Sequence, residues 1–338
     1  SNSSNQAKQD TSEGSIPFVR YASVSANGSG WWFSPVDIKF NSDDGKQNWS
    51  GVPTKELYKL KPLGFYGVDA ELETDFFSLD LAYERGGGIN TSLSSSSLLA
   101  FVLQLHGIPQ VDRLRFSSTI LDFFNGQAML LERQTGSTVD EASFELRMRR
   151  FSLSYQMPKA RIVGEYLGYN IPRNIYLQQK QGTGDNASYI YYPISDQLMR
   201  VGSNVFLVGF ATDNRENEFK NGLLQPYDRD QPVVLGGSFL LGGGPYKITR
   251  LDSDEVIDKG NLVAVGLTGN LLLQKRFWKY VTIGGLIDTS FYFFQPIGLP
   301  DDMEAYAKSE SIQTDDLSVN FGTVDVLARA YGFIRVDY

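Results

Sequence analysis

The C-terminal stretch 324–338 constrains the fold more than any other part of the sequence. Counting back in twos from the last residue gives a set whose members are all apolar or glycine: Tyr338, Val336, Ile334, Gly332, Ala330, Ala328, Val326 and Val324. The intervening positions carry all the charge, on Asp325, Arg329, Arg335 and Asp337. Because strand side chains alternate between two faces, this stretch predicts one long β-strand with an apolar face and a charged face.

A terminal strand of this kind, ending in an aromatic residue, resembles the closing strand of bacterial outer-membrane β-barrel proteins. The resemblance is to the superfamily and identifies no specific family within it. It implies an integral protein of the Gram-negative outer membrane, surrounded by outer-membrane lipids and lipopolysaccharide, with 324–338 bound by the barrel-insertion machinery. The alternative is the edge strand of a soluble sandwich, because one such strand does not distinguish lipid from a protein core.

The expected domain organisation is a single barrel. The chain has 338 residues, more than the roughly 150 residues of a typical domain, but β-barrels often exceed that length as a single domain. Residues 1–15 are rich in Ser, Asn and Gln and predict a flexible N-terminal arm. Residues 16–338 are predicted to form one transmembrane domain. Since the first fifteen residues lack an apolar segment, we expect a mature form whose signal peptide has been removed.

Composition excludes two classes of protein. Hydrophobic residues make up 41% of the chain, the mean hydropathy is −0.24, and no run reaches the roughly 18 apolar residues that a membrane-spanning helix needs. This excludes a helical membrane protein but not a barrel, in which only alternate residues face lipid. The net charge of −8 argues against nucleic acid as a partner, because phosphate binding needs a basic surface.

The alternation of the C-terminal strand recurs along the chain. Residues 68–74 and 77–84 each alternate apolar with charged or polar side chains, and the phase changes at 75–76, which predicts a tight hairpin turn. Weaker strands are predicted at 174–180 and 188–192. Because hairpins follow one another without room for helical crossovers, we expect an all-β fold. The predicted architecture is a closed, antiparallel, up-and-down transmembrane β-barrel of about 14 strands, with roughly 12 to 16 allowed.

Loop lengths support the same architecture. Further short turns are predicted at 149–150, 242–245 and 274–276, and long polar loops lie between the short turns, among them 212–231. Short turns at the periplasmic end and long loops at the outer end are typical of outer-membrane barrels.

Aromatic residues are predicted to form two belts at the membrane interfaces. The chain is rich in Phe, Tyr and Trp, and a strand near the C-terminus has aromatic residues at both of its ends. From Trp278 to Tyr292, at about 3.3 Å per residue and a tilt near 45°, this strand spans roughly 33 Å. The residues assigned to the interfaces are Trp278, Tyr280, Phe291, Phe293 and Tyr338.

The residues between the apolar positions are predicted to line the lumen. The candidates are Asp69, Glu71, Glu73, Asp80, Glu84, Gln104, His106, Glu145, Arg147, Arg149, Asp325, Arg329 and Arg335. Opposed acidic and basic rows in a lumen bias which solutes pass. The alternative is that the charges pair across the lumen and close it.

The single histidine, His106, is the only candidate general base. Ser94–Ser97 precedes it, but lies at the opposite end of the predicted strand 98–106, roughly 30 Å away by strand rise. We therefore assign no catalytic residue and expect a lumen-facing or turn-capping histidine. One histidine and no cysteine also exclude a multi-His or thiolate metal site, so we expect no metal and no cofactor.

Three functions stay open at this stage. The first is a porin-like channel or small-solute binding pore, and not an enzyme. The second is a non-conducting barrel that anchors a periplasmic or cell-surface protein assembly through the N-terminal arm or the outer loops. The third is a lipid- or lipopolysaccharide-modifying barrel enzyme that uses His106. The sequence does not identify the solute, the oligomeric state or a protein partner.

Overall fold

The computed structural model describes residues 18–37, 58–88, 96–131, 137–173, 175–182, 188–193, 199–215, 218–225, 229–250, 255–299, 304–305, 308–309, 317–321 and 323–338. The predicted N-terminal arm, 1–15, lies outside the described residues. In the part that is described, no helix is long and apolar enough to cross a membrane.

Eighteen strands make up the described fold. In chain order they are β1 (Val19–Asp37), β2 (Tyr58–Leu60), β3 (Leu63–Thr74), β4 (Phe77–Gly88), β5 (Ser96–Leu105), β6 (Leu114–Leu131), β7 (Thr138–Gln156), β8 (Arg161–Arg173), β9 (Tyr176–Gln181), β10 (Ser188–Pro193), β11 (Met199–Asp213), β12 (Phe219–Lys220), β13 (Leu223–Leu224), β14 (Val233–Arg250), β15 (Val256–Trp278), β16 (Val281–Ile297), β17 (Leu317–Asn320) and β18 (Thr323–Asp337).

Twelve of these strands, counted within the described residues, close into one antiparallel barrel. Going around it, the order is β1, β3, β4, β5, β6, β7, β8, β11, β14, β15, β16 and β18, so each strand pairs with the next barrel strand along the chain. The ring closes where β18 pairs with β1, from Ser23 opposite Asp337 to Asp37 opposite Thr323. The predicted closed up-and-down barrel is confirmed.

The strand number of 14 was wrong, and the two weak strands explain the difference. β9 and β10 pair with each other, and β9 also pairs with β17, forming a separate three-stranded sheet outside the barrel ring. Both segments lie in one connection between β8 and β11. Strand-forming composition alone does not reveal whether a strand joins the barrel or a loop sheet.

Three predicted turns also lie inside continuous strands. The glycine-rich run 242–245 is part of β14; all four residues pair with β15, and Gly242 and Gly243 also pair with β11. Residues 149–150 lie within β7, and 274–276 within β15, whose turn into β16 comes instead at 279–280. A Cβ added at Gly242 would overlap the carbonyl oxygen of Phe206. The glycine is therefore required for close approach of two strands and not for a turn.

The barrel has two ends that differ in their connections. We call the end that holds the start of β1 and the end of β18 the near end, and the opposite end the far end. At the near end the hairpin turns at 75–76 and 279–280 are tight, as is the four-residue connection 157–160. The loop predicted at 212–231 on the outer side falls in the connection 214–232 between β11 and β14, which is also at the near end, so its predicted side was wrong.

The outward face of the barrel is an apolar belt. Large outward side chains such as Phe206, Val208 and Phe210 alternate on β11 with buried inward ones. All five predicted interface aromatics lie on this outward face or in the near-end turn. From Tyr280 to Phe291 along β16 the rise is about 26 Å at a 45° tilt, close to the roughly 25 Å apolar band of outer-membrane barrels.

Glycine positions give a test of the strand packing. We expect Gly242→Ala to destabilise the barrel by about 1–3 kcal/mol, because the new methyl group meets the backbone of β11. Gly269→Ala is the matched control, since a Cβ there meets nothing within 4 Å, and its effect should stay within about 0.5 kcal/mol. Urea unfolding in lipid bilayers measures both. Equal effects of the two substitutions would contradict the described packing.

Candidate functional site

The far half of the lumen is filled by an apolar layer. Its inward side chains come from all around the barrel and include Trp31, Phe33, Phe65, Leu98, Leu121, Leu146, Met148, Leu167, Tyr169, Ile171, Val201, Val205, Leu240, Tyr246, Ile248, Leu262, Tyr292, Phe294 and Leu327. Tyr169, Tyr292 and Phe294 contact each other, with ring centroids 5.7–6.1 Å apart. This half of the lumen is therefore filled mainly by apolar side chains and not by the predicted rows of charge. We call this set the packed layer.

Ion pairs extend across the lumen at the level of the packed layer and next to it. Arg329 on β18 binds Glu84 on β4, and Ser29 donates a hydrogen bond of 2.6 Å to the same carboxylate. Arg173 on β8 binds Asp325 on β18 at 2.5 Å, with both side chains 2% exposed or less. Buried charges of this kind are stable only when paired. The pairing supports the closed alternative over opposed rows of free charge.

The structure places ten of the thirteen predicted lumen residues on the inward face. These are Asp69, Glu71, Glu73, Asp80, Glu84, Gln104, His106, Asp325, Arg329 and Arg335. The prediction was wrong for Glu145, Arg147 and Arg149, which alternate on β7 with the buried inward Leu146 and Met148. Glu145 and Arg147 pair with each other on the outside, each with a side chain 44% exposed.

In the near-end segment 214–232, the described residues 214–215, 218–225 and 229–232 lie at the mouth of the barrel. Its residue Arg229 pairs with Glu71 at 3.2 Å and with Glu73, both on the inward face of β3. The Arg229 guanidinium also lies 4.1 Å from the centre of the Tyr21 ring. The hairpin of β12 and β13 lies in the same segment. The segment thus forms a partial roof on the near-end mouth.

A cavity of about 260 Å³ lies beneath this roof. Its lining comes from the inward faces of β3 to β6, the turn after β5 and the roof segment, and includes Glu71, Glu73, Ser78, Asp80, Val102, Gln104, His106, Asp112, Arg115, Leu223, Leu224 and Arg229. We call it the mouth cavity. A smaller cavity of about 90 Å³ lies deeper, between the packed layer and Arg150, Asp288 and Arg329.

Ser78, His106 and Asp112 form a hydrogen-bonded chain in the wall of the mouth cavity. Ser78 Oγ lies 2.6 Å from His106 Nε2, and His106 Nδ1 lies 3.0 Å from Asp112 Oδ1. The second carboxylate oxygen of Asp112 accepts the backbone N–H of Leu224 from the roof. Asp112 is 2% exposed. The order of groups is that of a hydroxyl, an imidazole and a buried carboxylate.

Local backbone geometry brings the three side chains together. Ser78 on β4 pairs with Gln104 on β5. The chain stays extended as far as His106, whose backbone N–H donates to the backbone carbonyl oxygen of Phe76 at 2.7 Å. Gly107 then takes φ +89°, a left-handed conformation that lets the chain turn at once. The following turn carries Asp112 back beneath the imidazole, and Gln104 Nε2 donates to the Asp112 carbonyl at 2.8 Å.

Sequence reasoning missed Ser78 and Asp112 as partners of His106. It tested only Ser94–Ser97; of these, Ser96 pairs with Gly86 toward the far end of β5, and Ser94 and Ser95 lie outside the described residues. The available signal was the inward phase of Ser78 on its strand. To predict from this signal that Ser78 contacts His106, one would also need the register between β4 and β5. The sequence of the loop between these strands does not give that register. Arg150 on β7, which binds Glu165 on the adjacent β8 at 2.9 Å along the inner face of the barrel, was also missed.

No group of three or more metal-ligating side chains occurs among the residues that the structure describes. Of the carboxylates in the mouth cavity, Glu71 and Glu73 bind Arg229, and Asp112 is bonded to His106 and to the backbone N–H of Leu224.

The closed barrel with its apolar outer belt defines the class: this is a β-barrel of the outer-membrane type. No protein-family model and no curated protein matches the chain. Among solved structures it is similar to the CymD monoaromatic hydrocarbon channel, with 7% identity, a TM-score of 0.32 and coverage of 94% of this chain and 88% of that one.

Two further solved structures show the same level of similarity. The outer membrane protease OmpT from Escherichia coli gives 8% identity, a TM-score of 0.33 and coverage of 96% of this chain and 98% of that one. The TodX deltaS2S3 mutant monoaromatic hydrocarbon channel gives 8% identity, a TM-score of 0.24 and coverage of 94% of this chain and 89% of that one. At these values the similarities carry no argument about function, and the class rests on strand pairing and the outer belt.

The buried pair of Arg173 and Asp325 yields a stability prediction. We expect Asp325→Ala to cost about 3–5 kcal/mol, because it leaves a buried guanidinium without its carboxylate. Glu145→Ala is the control, since it removes an exposed pair on the outer face and should cost less than about 1 kcal/mol. Urea unfolding of the two variants in the same lipid compares them. A loss for Asp325→Ala no larger than the control would refute a closely packed lumen.

Proposed function

We propose that the protein is an integral outer-membrane barrel that binds a small solute in the mouth cavity and does not conduct as an open pore. The observation that carries this proposal is the division of the lumen into a packed layer and a cavity at one mouth. A porin-like channel needs a water-filled path between both mouths. The packed layer supports the solute-binding alternative over the open channel.

The bacterial outer membrane is the location that the outer face supports. Its apolar belt would contact outer-membrane lipids and lipopolysaccharide, with aromatic residues at both interfaces. Since the tight turns at 75–76 and 279–280 lie at the near end, we assign this end to the periplasm. Strand 324–338 presents an outward apolar set and the exposed Tyr338, and it is the segment that we expect the insertion machinery to bind.

The lining of the mouth cavity suits a small, neutral solute with polar and apolar parts. Several of its charged side chains bind each other, as in Arg20 with Asp75 and Arg229 with Glu71. Val102 and Leu224 add apolar surface. Since charges already paired offer little to a charged solute, hydrogen bonding and apolar contact would dominate binding.

A non-conducting anchor is the second candidate, and the packed layer supports it as much as it supports the solute-binding barrel. Such a barrel would hold a protein assembly through the N-terminal arm or the outer loops. The two candidates differ in the mouth cavity, which only the first one uses. Occupation of that cavity by a small molecule therefore separates them.

Cysteine substitutions test whether the lumen is closed, because the 338-residue chain contains no cysteine of its own. We expect Val102→Cys, in the mouth cavity, to react with a small methanethiosulfonate reagent. Leu98→Cys, on the same strand but within the packed layer at 2% exposure, should react at least about tenfold more slowly. Wild-type protein in a planar bilayer should show no stepwise conductance. Equal labelling at both positions together with stepwise openings would restore the porin-like channel.

Protection from labelling tests the solute site itself. Butyramide, a small neutral amide, should slow the labelling of Val102→Cys severalfold by occupying the mouth cavity. Lys279→Cys, in the exposed turn between β15 and β16, is the control and should label at the same rate with or without butyramide. Absence of protection at Val102→Cys would leave the anchor as the supported function.

A further inference from the structure

The hydrogen-bonded chain of Ser78, His106 and Asp112 lies in the wall of the proposed solute site. Ser78 Oγ and His106 Nε2 are 2.6 Å apart, and His106 Nδ1 and Asp112 Oδ1 are 3.0 Å apart. Both distances fall within hydrogen-bond reach, which is the geometric requirement for a nucleophile and its base. A purely structural hydrogen bond between Ser78 and His106 would not require a buried carboxylate, Asp112, to orient the imidazole.

The carboxylate determines the tautomer of the imidazole. An ionised carboxylate only accepts hydrogen bonds, so the proton between His106 and Asp112 belongs to Nδ1. In the neutral ring Nε2 is then an acceptor, and the Ser78 hydroxyl donates to it. The nitrogen that faces Ser78 is therefore the one able to take its proton. Gln104 and the Leu224 N–H fix Asp112 from two sides.

We propose that the barrel is a hydrolase of small carboxylic esters, with Ser78 as nucleophile, His106 as general base and acid, and Asp112 as the positioning residue for His106. The proposal rests on the solute site described above and adds a reaction to it. It differs from a lipid-modifying enzyme, because the three residues face the lumen near the mouth and not the lipid-facing surface.

The reaction proceeds in two balanced steps. Ser78 Oγ bonds to the ester carbonyl carbon while its proton passes to His106 Nε2, and the alcohol leaves with that proton as the C–O bond breaks. Water then attacks the acyl group on Ser78, giving one proton to His106, which returns it to Ser78 Oγ as the acyl–serine bond breaks. The products are one carboxylic acid and one alcohol, and no oxidant, reductant or metal takes part.

Arg115 is placed to stabilise the carbonyl oxygen in the transition state. Ser78, Gln104 and Arg115 are lateral neighbours on β4, β5 and β6, so Ser78 and Arg115 are two strand spacings, or about 10 Å, apart at Cα. Arg115 lines the mouth cavity, and among the described residues its side chain has no carboxylate partner. An extended arginine covers much of that spacing, so its N–H groups are available to a developing oxyanion.

The size of the cavity limits the substrate. At about 260 Å³ it is smaller than the roughly 300–1,000 Å³ that is common for sites of drug-sized ligands. The packed layer closes its deep side, so long acyl chains have no room along the barrel axis. Esters of short acids and small alcohols fit these limits, and they would enter from the near end.

A fluorophosphonate reagent and ethyl butyrate test the proposal on the purified full-length barrel. The reagent should form a covalent bond to Ser78 Oγ, detected by mass spectrometry on the peptide that contains it, and ethyl butyrate should be hydrolysed. Ser78→Ala should abolish labelling and lower kcat by at least about 10³-fold. Ser152→Ala is the matched control, because Ser152 also faces the lumen and bonds to Ser117 at 2.5 Å, and it should behave as wild type.

Asp112 and Arg115 need readouts that a purely structural role would not change. Asp112→Asn should lower kcat by about 10²-fold or more with little change in KM, because the imidazole loses its fixed tautomer. Arg115→Gln should lower kcat by about 10²-fold while fluorophosphonate labelling of Ser78 persists. Heat-modified migration in gel electrophoresis confirms that each variant is folded.

The possible outcomes separate this inference from the proposed function. Wild-type protein that is neither labelled nor active, while butyramide still protects Val102→Cys, would overturn the hydrolase and leave the solute site intact. Labelling that survives Ser78→Ala would overturn the assignment of the nucleophile. Loss of both protection and labelling would remove the solute site together with the reaction proposed in it.

Discussion

Closure of the backbone hydrogen bonds between the first and last strands is the constraint on which the whole structure depends. In lipid an open sheet edge would leave its N–H and C=O groups without partners, at a cost of several kcal/mol for each group. The pairing of β1 with β18 along fifteen residue pairs removes both edges at once. It also fixes which residues face inward, because the strand period of two then applies around the whole ring.

Closure places charges from distant strands opposite each other in the lumen. Glu84 on β4 and Arg329 on β18 are separated by β3 and β1 in the ring, yet they bind directly. A narrow lumen with such pairs and with stacked aromatic rings behaves like the core of a soluble domain, in which close packing excludes water. Near the mouth, the described inward face is polar and encloses the mouth cavity. The described lumen thus has a closely packed half and a half with a polar cavity, and the proposed chemistry lies in the second half.

Much of this fold was predictable from the sequence, because two strong signals agree. The alternation of 324–338 and the phase change at 75–76 each follow from the strand period of two, and both are confirmed.

The prediction of a turn at 242–245 was wrong because glycine marks both turns and close strand contacts. The charges at 145–149 misled for another reason. β7 has 19 residues, about twice the roughly 9–11 needed to span the bilayer, so outward charge is tolerated in parts of the strand away from hydrocarbon. The arrangement of Ser78, His106 and Asp112 depends on interstrand register, which local sequence does not encode.

The contacts within the hydrogen-bonded chain join residues that are close in sequence, whereas the contacts made by the roof join residues that are far apart in sequence. Ser78, His106 and Asp112 all lie within 78–112, on two adjacent strands and the turn that follows them. The roof contact from Leu224 to Asp112 joins residues 112 positions apart, and Arg229 joins Glu71 across 158 positions. Contacts between distant residues form late, since a long loop must close first. During assembly in the membrane the serine hydroxyl would therefore acquire its imidazole and carboxylate partners early and remain uncovered until most of the ring had formed.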